Sequence, residues 1–201
     1  MGKAYTSDER SDIRVRIMEA ALKLYHENGS KTLNIREIAK KAGISQGGFY
    51  NFWPDKDSLV LDVMKYRAAQ KLDMIKPKFK GSENDPVGFL SSLISAWVVD
   101  MKGKLDSKPI YREGMDFLQS TSGEKSSRFL SLYSDFLNDL NDYWIKKDAI
   151  VSMDIAGVTN VITSVSILLS NSGKIDDKYF KDLIDAFSAA GLKKYVITKE
   201  H

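Results

Sequence analysis

A chain of 201 residues with 43% hydrophobic side chains is long enough for one large domain or two small ones, and apolar enough to bury a core, which excludes a disordered chain. It has no cysteine, which removes disulfides, thiolate metal sites and thiol nucleophiles; His26 and His201 are far apart and in no ligand-type spacing, so neither a metal nor any other cofactor is expected. The net charge of +3 is modest and does not by itself indicate nucleic acid.

The opening MGKAYTSDERSD is polar, with no apolar leader, and the most apolar stretch, 155–169, is too short and too rich in Asn, Thr and Ser to span a bilayer. A cytoplasmic chain with no membrane partner is the expectation. Ile13, Ile17, Ala20, Ala21 and Leu24 recur at helical steps and predict an amphipathic helix over 10–28, ended by Gly29. Asn34-Ile-Arg-Glu37 has the form of a capping box and opens a short second helix over 34–42, with Ile35, Ile38, Ala39 and Ala42 on one face. Gly43 allows a tight turn, Ile44 turns to the core, and Ser45 is a favoured N-cap for a third helix over about 46–52. The result is helix, glycine turn, helix.

Pro54 breaks the chain, and Asp55 can cap a fourth helix reaching about Lys76, with Leu59, Val60, Val63 and Met64 as its apolar positions. PKFKGSENDP, 77–86, is the clearest linker-like stretch. Beyond it the pattern predicts helices over 87–101, 109–120, 124–147, 152–170 and 177–190, and no strand except an extended tail at 195–198. The expected fold is all-α with about nine helices in two parts: residues 1–54 and residues 55–201.

Between Lys31 and Lys56 five basic residues (Lys31, Arg36, Lys40, Lys41, Lys56) face two acidic ones (Glu37, Asp55), a local +3 equal to the excess of the whole chain. A solvated helix face would show the same excess, so geometry has to decide. A helix-turn-helix lays its second helix in the major groove with that helix's N-terminal residues nearest the bases. Gly47 and Gly48 fall in this first turn, where glycine costs less than in mid-helix and the absence of side chains lets backbone N–H groups approach phosphate.

The run RIMEAALKLYHENGSKTLNIREIAKKAGISQGGFYNFWPDKDSL, 16–59, resembles the DNA-binding domain of the TetR family of bacterial transcriptional regulators. The shared features are the apolar first helix, Gly29, Ile38-Ala39, Ala42-Gly43-Ile44-Ser45, Gly47, Phe49-Tyr50 and Lys56 after the aromatic corner. The resemblance implies that Gln46 faces base edges, that Tyr50 meets phosphate or a thymine methyl, that Lys56 contacts phosphate, and that Arg36 reaches a phosphate or an adjacent base. With the caps Asn34 and Ser45, the glycines Gly47 and Gly48, and Asn51, these form the candidate DNA-binding set. This chain departs from the common pattern at Gly48, where Thr or Ala is frequent, at Phe52, where His or Tyr is frequent, and at Trp53, where Phe is usual. Phe52 cannot hydrogen-bond phosphate and is left out of the set.

For the second part the resemblance implies a helical domain that dimerises through its last two long helices and holds a small-molecule effector among the others. The apolar residues Ile155, Val158 and Ile162, with Phe180, Ile184 and Phe187, are the candidate homodimer interface, plain core being the other reading. Trp97, Met101, Tyr111, Met115, Phe117, Tyr133 and Phe136 are the candidate ligand-binding residues, large adaptable side chains suited to an apolar ligand. The expected function is a homodimeric repressor that binds a palindromic double-stranded operator and is released from it by a small, largely apolar effector. Two alternatives stay open: a helical protein-interaction adaptor, and a DNA-binding regulator without an effector. No phosphate-binding glycine loop, Gly-x-Ser-x-Gly or base-plus-nucleophile pair is present in the sequence, so an enzyme is not expected.

Overall fold

The structure is a computed structural model that describes residues 5–28, 33–107, 111–112, 115–116 and 124–199, with side chains from 133 onward in the last stretch. Eight α-helices are delimited among the described residues. α1 is Ser7–Asn28, α2 Ile35–Ala42, α3 Gln46–Phe49, α4 Lys56–Ile75 and α5 Pro86–Ser107; α6 is Glu124–Lys146, α7 Ile155–Ser170 and α8 Asp177–Tyr195. Of the helix expected over 109–120, Tyr111, Arg112, Met115 and Asp116 are described and helical; its other residues, and Gly29, lie outside the described residues.

The ends of the helices follow from local chemistry. α1 begins a turn earlier than the apolar period suggests, because Thr6 and Glu9 exchange hydrogen bonds, Glu9 N–H to Thr6 Oγ1 at 3.2 Å and Thr6 N–H to Glu9 Oε2 at 2.9 Å, which is a capping box. Asn34 caps α2 by accepting from the Arg36 N–H at 2.8 Å, and among the described residues no bond from Glu37 completes a box there. Gly43 ends α2 in the left-handed region, φ 73°, and its N–H returns to the carbonyls of Ala39 and Lys40. Asp55 caps α4 at Ser58 N–H, 2.6 Å.

An antiparallel two-stranded ribbon corrects the expectation of a helix from 152. Strand β1, Ile150–Met153, pairs with β2, Val196–Thr198, and α7 starts only after Asp154, whose side chain accepts from the Gly157 N–H at 3.0 Å. Asp148, in the left-handed region at φ 61°, stops α6, and the β-branched Ile150 and Val151 then extend, with Ile150 opposite Thr198, Ser152 opposite Ile197 and Met153 opposite Val196. α8 runs past the expected end at Ala190, because Gly191 inside it packs against α7: a Cβ there would stand 2.8 Å from Val161 Cγ2.

Two cores result. The first gathers Ile13, Ile17 and Leu24 of α1, Ile38 and Ala42 of α2, Phe49, Phe52 and Trp53 around α3, and Leu59 and Val63 of α4. The second gathers Leu90, Ile94 and Val98 of α5, Leu137, Leu140 and Trp144 of α6, Val158, Val161, Val165 and Leu169 of α7, and Phe180, Ile184 and Leu192 of α8. α4 belongs to both, since Leu72 and Ile75 near its end pack on the second. Where the indole of Trp144 enters that core its N–H donates to Ser82 Oγ at 2.7 Å, and Ser82 donates to the Phe79 carbonyl at 2.7 Å, so each buried polar group there is satisfied.

Candidate nucleic-acid interface

α3 is only four residues long, and what surrounds it fixes its place. Ser45 Oγ accepts from the Gly48 N–H at 3.0 Å, Phe49 is fully buried beneath the helix, and Ile44 packs partly buried beside it. The chain continues from Phe49 as a turn, with the N–H groups of Phe52 and Trp53 both returning to the Phe49 carbonyl, at 2.9 and 3.2 Å. The helix is therefore shorter than the expected 46–52. Phe52 and Trp53 are buried in the first core.

Turning Phe49 inward turns its neighbours outward. Gln46, Gly47, Tyr50 and Asn51 are exposed, Tyr50 at 52%, a large value for an aromatic ring with its edge against Phe49. Arg36 on α2 is exposed, as are the caps Asn34 and Ser45, and Lys56 stands half-exposed at the start of α4. The two glycines differ. A Cβ on Gly47 would meet nothing within 4 Å, whereas one on Gly48 would lie 3.1 Å from Ser45 Oγ. The Gly48 N–H is spent on the cap, so of the two glycines it is Gly47 that presents an open backbone. Lys40 is exposed, and Lys41 reaches Glu27 at 3.4 Å.

The other candidate residues divide. Trp97, Met101, Tyr111 and Met115 pack half-buried against the second core, Tyr133 is half-buried, and Phe136 is buried in the core. Burial pushes the Tyr133 hydroxyl above the usual tyrosine pKa. Phe117 lies outside the described residues. An open cleft of about 540 Å³ is found elsewhere, between α1 and α4, lined by Leu22, Lys23, His26, Tyr66, Arg67 and Gln70 among others. His26 connects it to the second core, its ring 6.0 Å from that of Tyr111.

Three of the six candidate interface residues need correction. Val158, Phe180 and Ile184 are at most 3% exposed and pack within the chain's own core, so they cannot reach a second copy. The apolar period found the buried face of each helix. Ile155 and Ile162 are partly buried, and Phe187 is exposed at 42%. Tyr179 and Leu183, two turns and one turn before Phe187 on α8, are exposed too, as is Ile167 on α7. Tyr179 and Ile167 were missed because a second apolar stripe beside the core stripe is the only signal they give in sequence.

Residues 17–63 match the family model described as bacterial regulatory proteins, tetR family. Two Bacillus subtilis proteins are similar over part of the chain: the uncharacterized HTH-type transcriptional regulator YuxN, 42% identical over 50 residues (25% of this chain, 17% of that protein), and the uncharacterized HTH-type transcriptional regulator YvdT, 33% over 69 residues (34% and 36%). The chain thus matches about a sixth to a third of the length of these relatives. Among solved structures, Thermus thermophilus FadR in complex with lauroyl-CoA aligns with a TM-score of 0.63 at 16% identity, over 93% of this chain and 97% of that one. RolR in complex with resorcinol aligns with a TM-score of 0.60 at 18% identity, over 96% and 91%. At these identities the likeness is one of fold: an N-terminal helix-turn-helix followed by a helical domain, extending over nearly the whole chain.

Proposed function

The chain belongs, through residues 17–63, to the tetR family of bacterial regulatory proteins, and from that premise we propose that it is a cytoplasmic, homodimeric repressor, not an enzyme, whose grip on a palindromic operator is released by a small, largely apolar ligand. One observation carries the reading: a Ser45-capped helix anchored by buried Phe49 that turns Gln46, Gly47 and Tyr50 outward, with Arg36 exposed and Lys56 half-exposed on the neighbouring helices. Gln46 would read base edges; Tyr50, Arg36 and Lys56 would fix register on phosphate. One short helix reads few base pairs, so two copies on a two-fold axis would place two of them in successive major grooves about 34 Å apart.

The ligand part of the reading rests on the half-buried Trp97, Met101, Tyr111 and Met115 beside the second core, and on acyl-CoA and resorcinol being held by proteins of the same fold. Among the described residues no helix is long and apolar enough to cross a membrane, and no group of three or more His, Asp or Glu could hold a metal ion. Selection of duplexes from random DNA, followed by binding over a range of salt, tests the reading. Lys56→Ala should weaken all duplexes and lower the salt slope by about 1, whereas Gln46→Ala should relax preference at one base position by about 1–3 kcal/mol. A chain that selects no sequence, or two variants that weaken every duplex alike, would overturn it.

A further inference from the structure

We propose that Asp62, on α4, is a positioning residue for the recognition helix, acting through Arg14 of α1 and Trp53 at the exit of α3. The inference rests on the DNA-binding reading and deepens it. Trp53 is 2% exposed, so its indole N–H must find an acceptor inside the fold. It donates to Asp62 Oδ2 at 2.9 Å. The same oxygen accepts from Arg14 Nη2 at 2.8 Å, and the Arg14 guanidinium lies 4.3 Å from the centroid of the Trp53 ring. Arg14 Nη1 then donates to the Phe52 carbonyl at 3.3 Å, and Arg10, one turn earlier on α1, donates to the Asn51 carbonyl at 3.0 Å.

These contacts close a ring through three elements: α1, the residues 51–53 that leave α3, and α4. A four-residue helix has too few backbone bonds to hold its own direction, so its neighbours impose it. At its start the neighbour is Ser45; at its exit it is this ring. The pose of Gln46 and Tyr50 on a duplex therefore depends on a carboxylate that touches no base and no phosphate. Phenylalanine at position 53 would fill most of the same apolar space but has no N–H, and Asp62 would lose its direct tie to the exit of α3, leaving only the Arg14 bond to the Phe52 carbonyl.

The test compares full-length wild type, Trp53→Phe, Asp62→Ala, Asp62→Asn and the double variant Trp53→Phe/Asp62→Ala on the selected operator and on a scrambled duplex. Trp53→Phe and Asp62→Ala should each lower operator affinity about tenfold, with scrambled-duplex affinity and salt slope held within about twofold. Together they should cost no more than the larger single loss, because both break one ring. Asp62→Asn, which can still accept from the indole but carries no charge for Arg14, should fall between. In the proton–nitrogen spectrum the indole signal absent from Trp53→Phe should shift and lose exchange protection in Asp62→Ala. An Asp62→Ala protein that unfolds at the wild-type temperature with an unchanged operator preference, or an unmoved indole signal, overturns the inference. Should Asp62→Ala not fold, Trp53→Phe carries the same comparison. A wild-type chain with no duplex preference defeats the DNA reading and this inference together, and is recognised before any substitution is made.

Discussion

Gly157 lies against the ring of Tyr195: a Cβ on the glycine would stand 2.2 Å from Cδ1 and 2.5 Å from Cγ. The contact joins the start of α7 to the end of α8, where the Asp154 N–H also donates to the Tyr195 carbonyl at 2.8 Å. The ring atoms nearest the glycine are close to its own backbone and cannot swing aside cheaply. Gly157→Ala should therefore cost about 1–3 kcal/mol despite alanine's better helix propensity, an overpacking penalty outweighing a gain of at most about 1 kcal/mol. Thermal unfolding checks this, each kcal/mol corresponding to about 2–4 °C at this chain length. A midpoint that rises would mean that α7 and α8 are further apart than described.

The two glycines of α3 separate folding from binding. Gly47→Ala meets nothing within 4 Å and should leave the folded chain as stable as before. Any fall in its DNA affinity would then come from the duplex, because a methyl group stands where the backbone should approach it. Gly48→Ala must push on the Ser45 hydroxyl at 3.1 Å and should loosen the cap, a contact whose removal by Ser45→Ala costs about 0.5–2 kcal/mol. Unfolding and binding measured on both variants should give a stable, weak binder for Gly47→Ala and a less stable chain for Gly48→Ala. Equal DNA affinity for Gly47→Ala and wild type would show that no close approach occurs there.

How much of this could be read from the sequence depends on the range of the interaction. Asn34, Gly43, Ser45 and Asp55 act on backbone within a few residues, and all four cap or terminate the helices where their residue types suggested. Of the ribbon, β2 at Val196–Thr198 falls on the extended tail expected over 195–198, whereas β1 at Ile150–Met153 escaped because it is too short to show a period of its own. Arg10 and Arg14 show only as two cations one turn apart on α1; that they serve Asn51, Phe52 and Trp53 depends on chain about 40 residues away. Three of the interface candidates, Val158, Phe180 and Ile184, fell in the core for another reason. Periodicity finds the most apolar face of a helix, and the chain's own core takes that face first, as it does for Phe180 and Ile184.

Acid should loosen the junction between 81–84 and α6. The Glu83 carboxylate accepts from the Gly81 N–H at 2.6 Å and from the Tyr143 hydroxyl at 3.0 Å. A hydrogen bond from its own backbone is the largest cause holding its pKa below the usual glutamate value, with Gly81 and Tyr143 adding to it against the opposing effect of burial. A carboxyl whose pKa is depressed in the folded state contributes stability that is full above its unfolded pKa, near 4.5, and is lost as pH falls through the folded value. Glu83→Gln should accordingly narrow the gap in urea stability between about pH 7 and about pH 3. An unchanged gap would mean that Glu83 binds its proton equally in both states.

Phe180 and Leu183 sit three residues apart on α8 and should answer differently to substitution. Phe180 is 3% exposed and belongs to the second core, with Lys102 Nζ 5.8 Å from its ring centroid, so Phe180→Ala should cost about 3–5 kcal/mol of folding stability whatever the oligomeric state. Leu183 is 51% exposed between Tyr179 and Phe187, which stand at 52% and 42%, and the three recur every four residues as one outward apolar stripe. Ile167, near the end of α7 that leads into α8, is exposed at the same end of this helical hairpin. Among the described residues a stripe of this kind, on a helix whose other face is already packed, is left without an apolar cover, and two copies related by a two-fold axis would cover it with itself. Leu183→Glu should then yield a folded monomer at micromolar concentration, since charges opposed across a self-complementary apolar surface are both desolvated and alike. The monomer should lose operator binding far beyond the loss from any single contact, because each half-site would have to be held alone. Sedimentation velocity, circular dichroism and operator binding on the two variants decide the matter. A Leu183→Glu chain that stays dimeric places the interface elsewhere, and one that is monomeric yet binds the palindrome as wild type would show that the two recognition helices do not act as a pair.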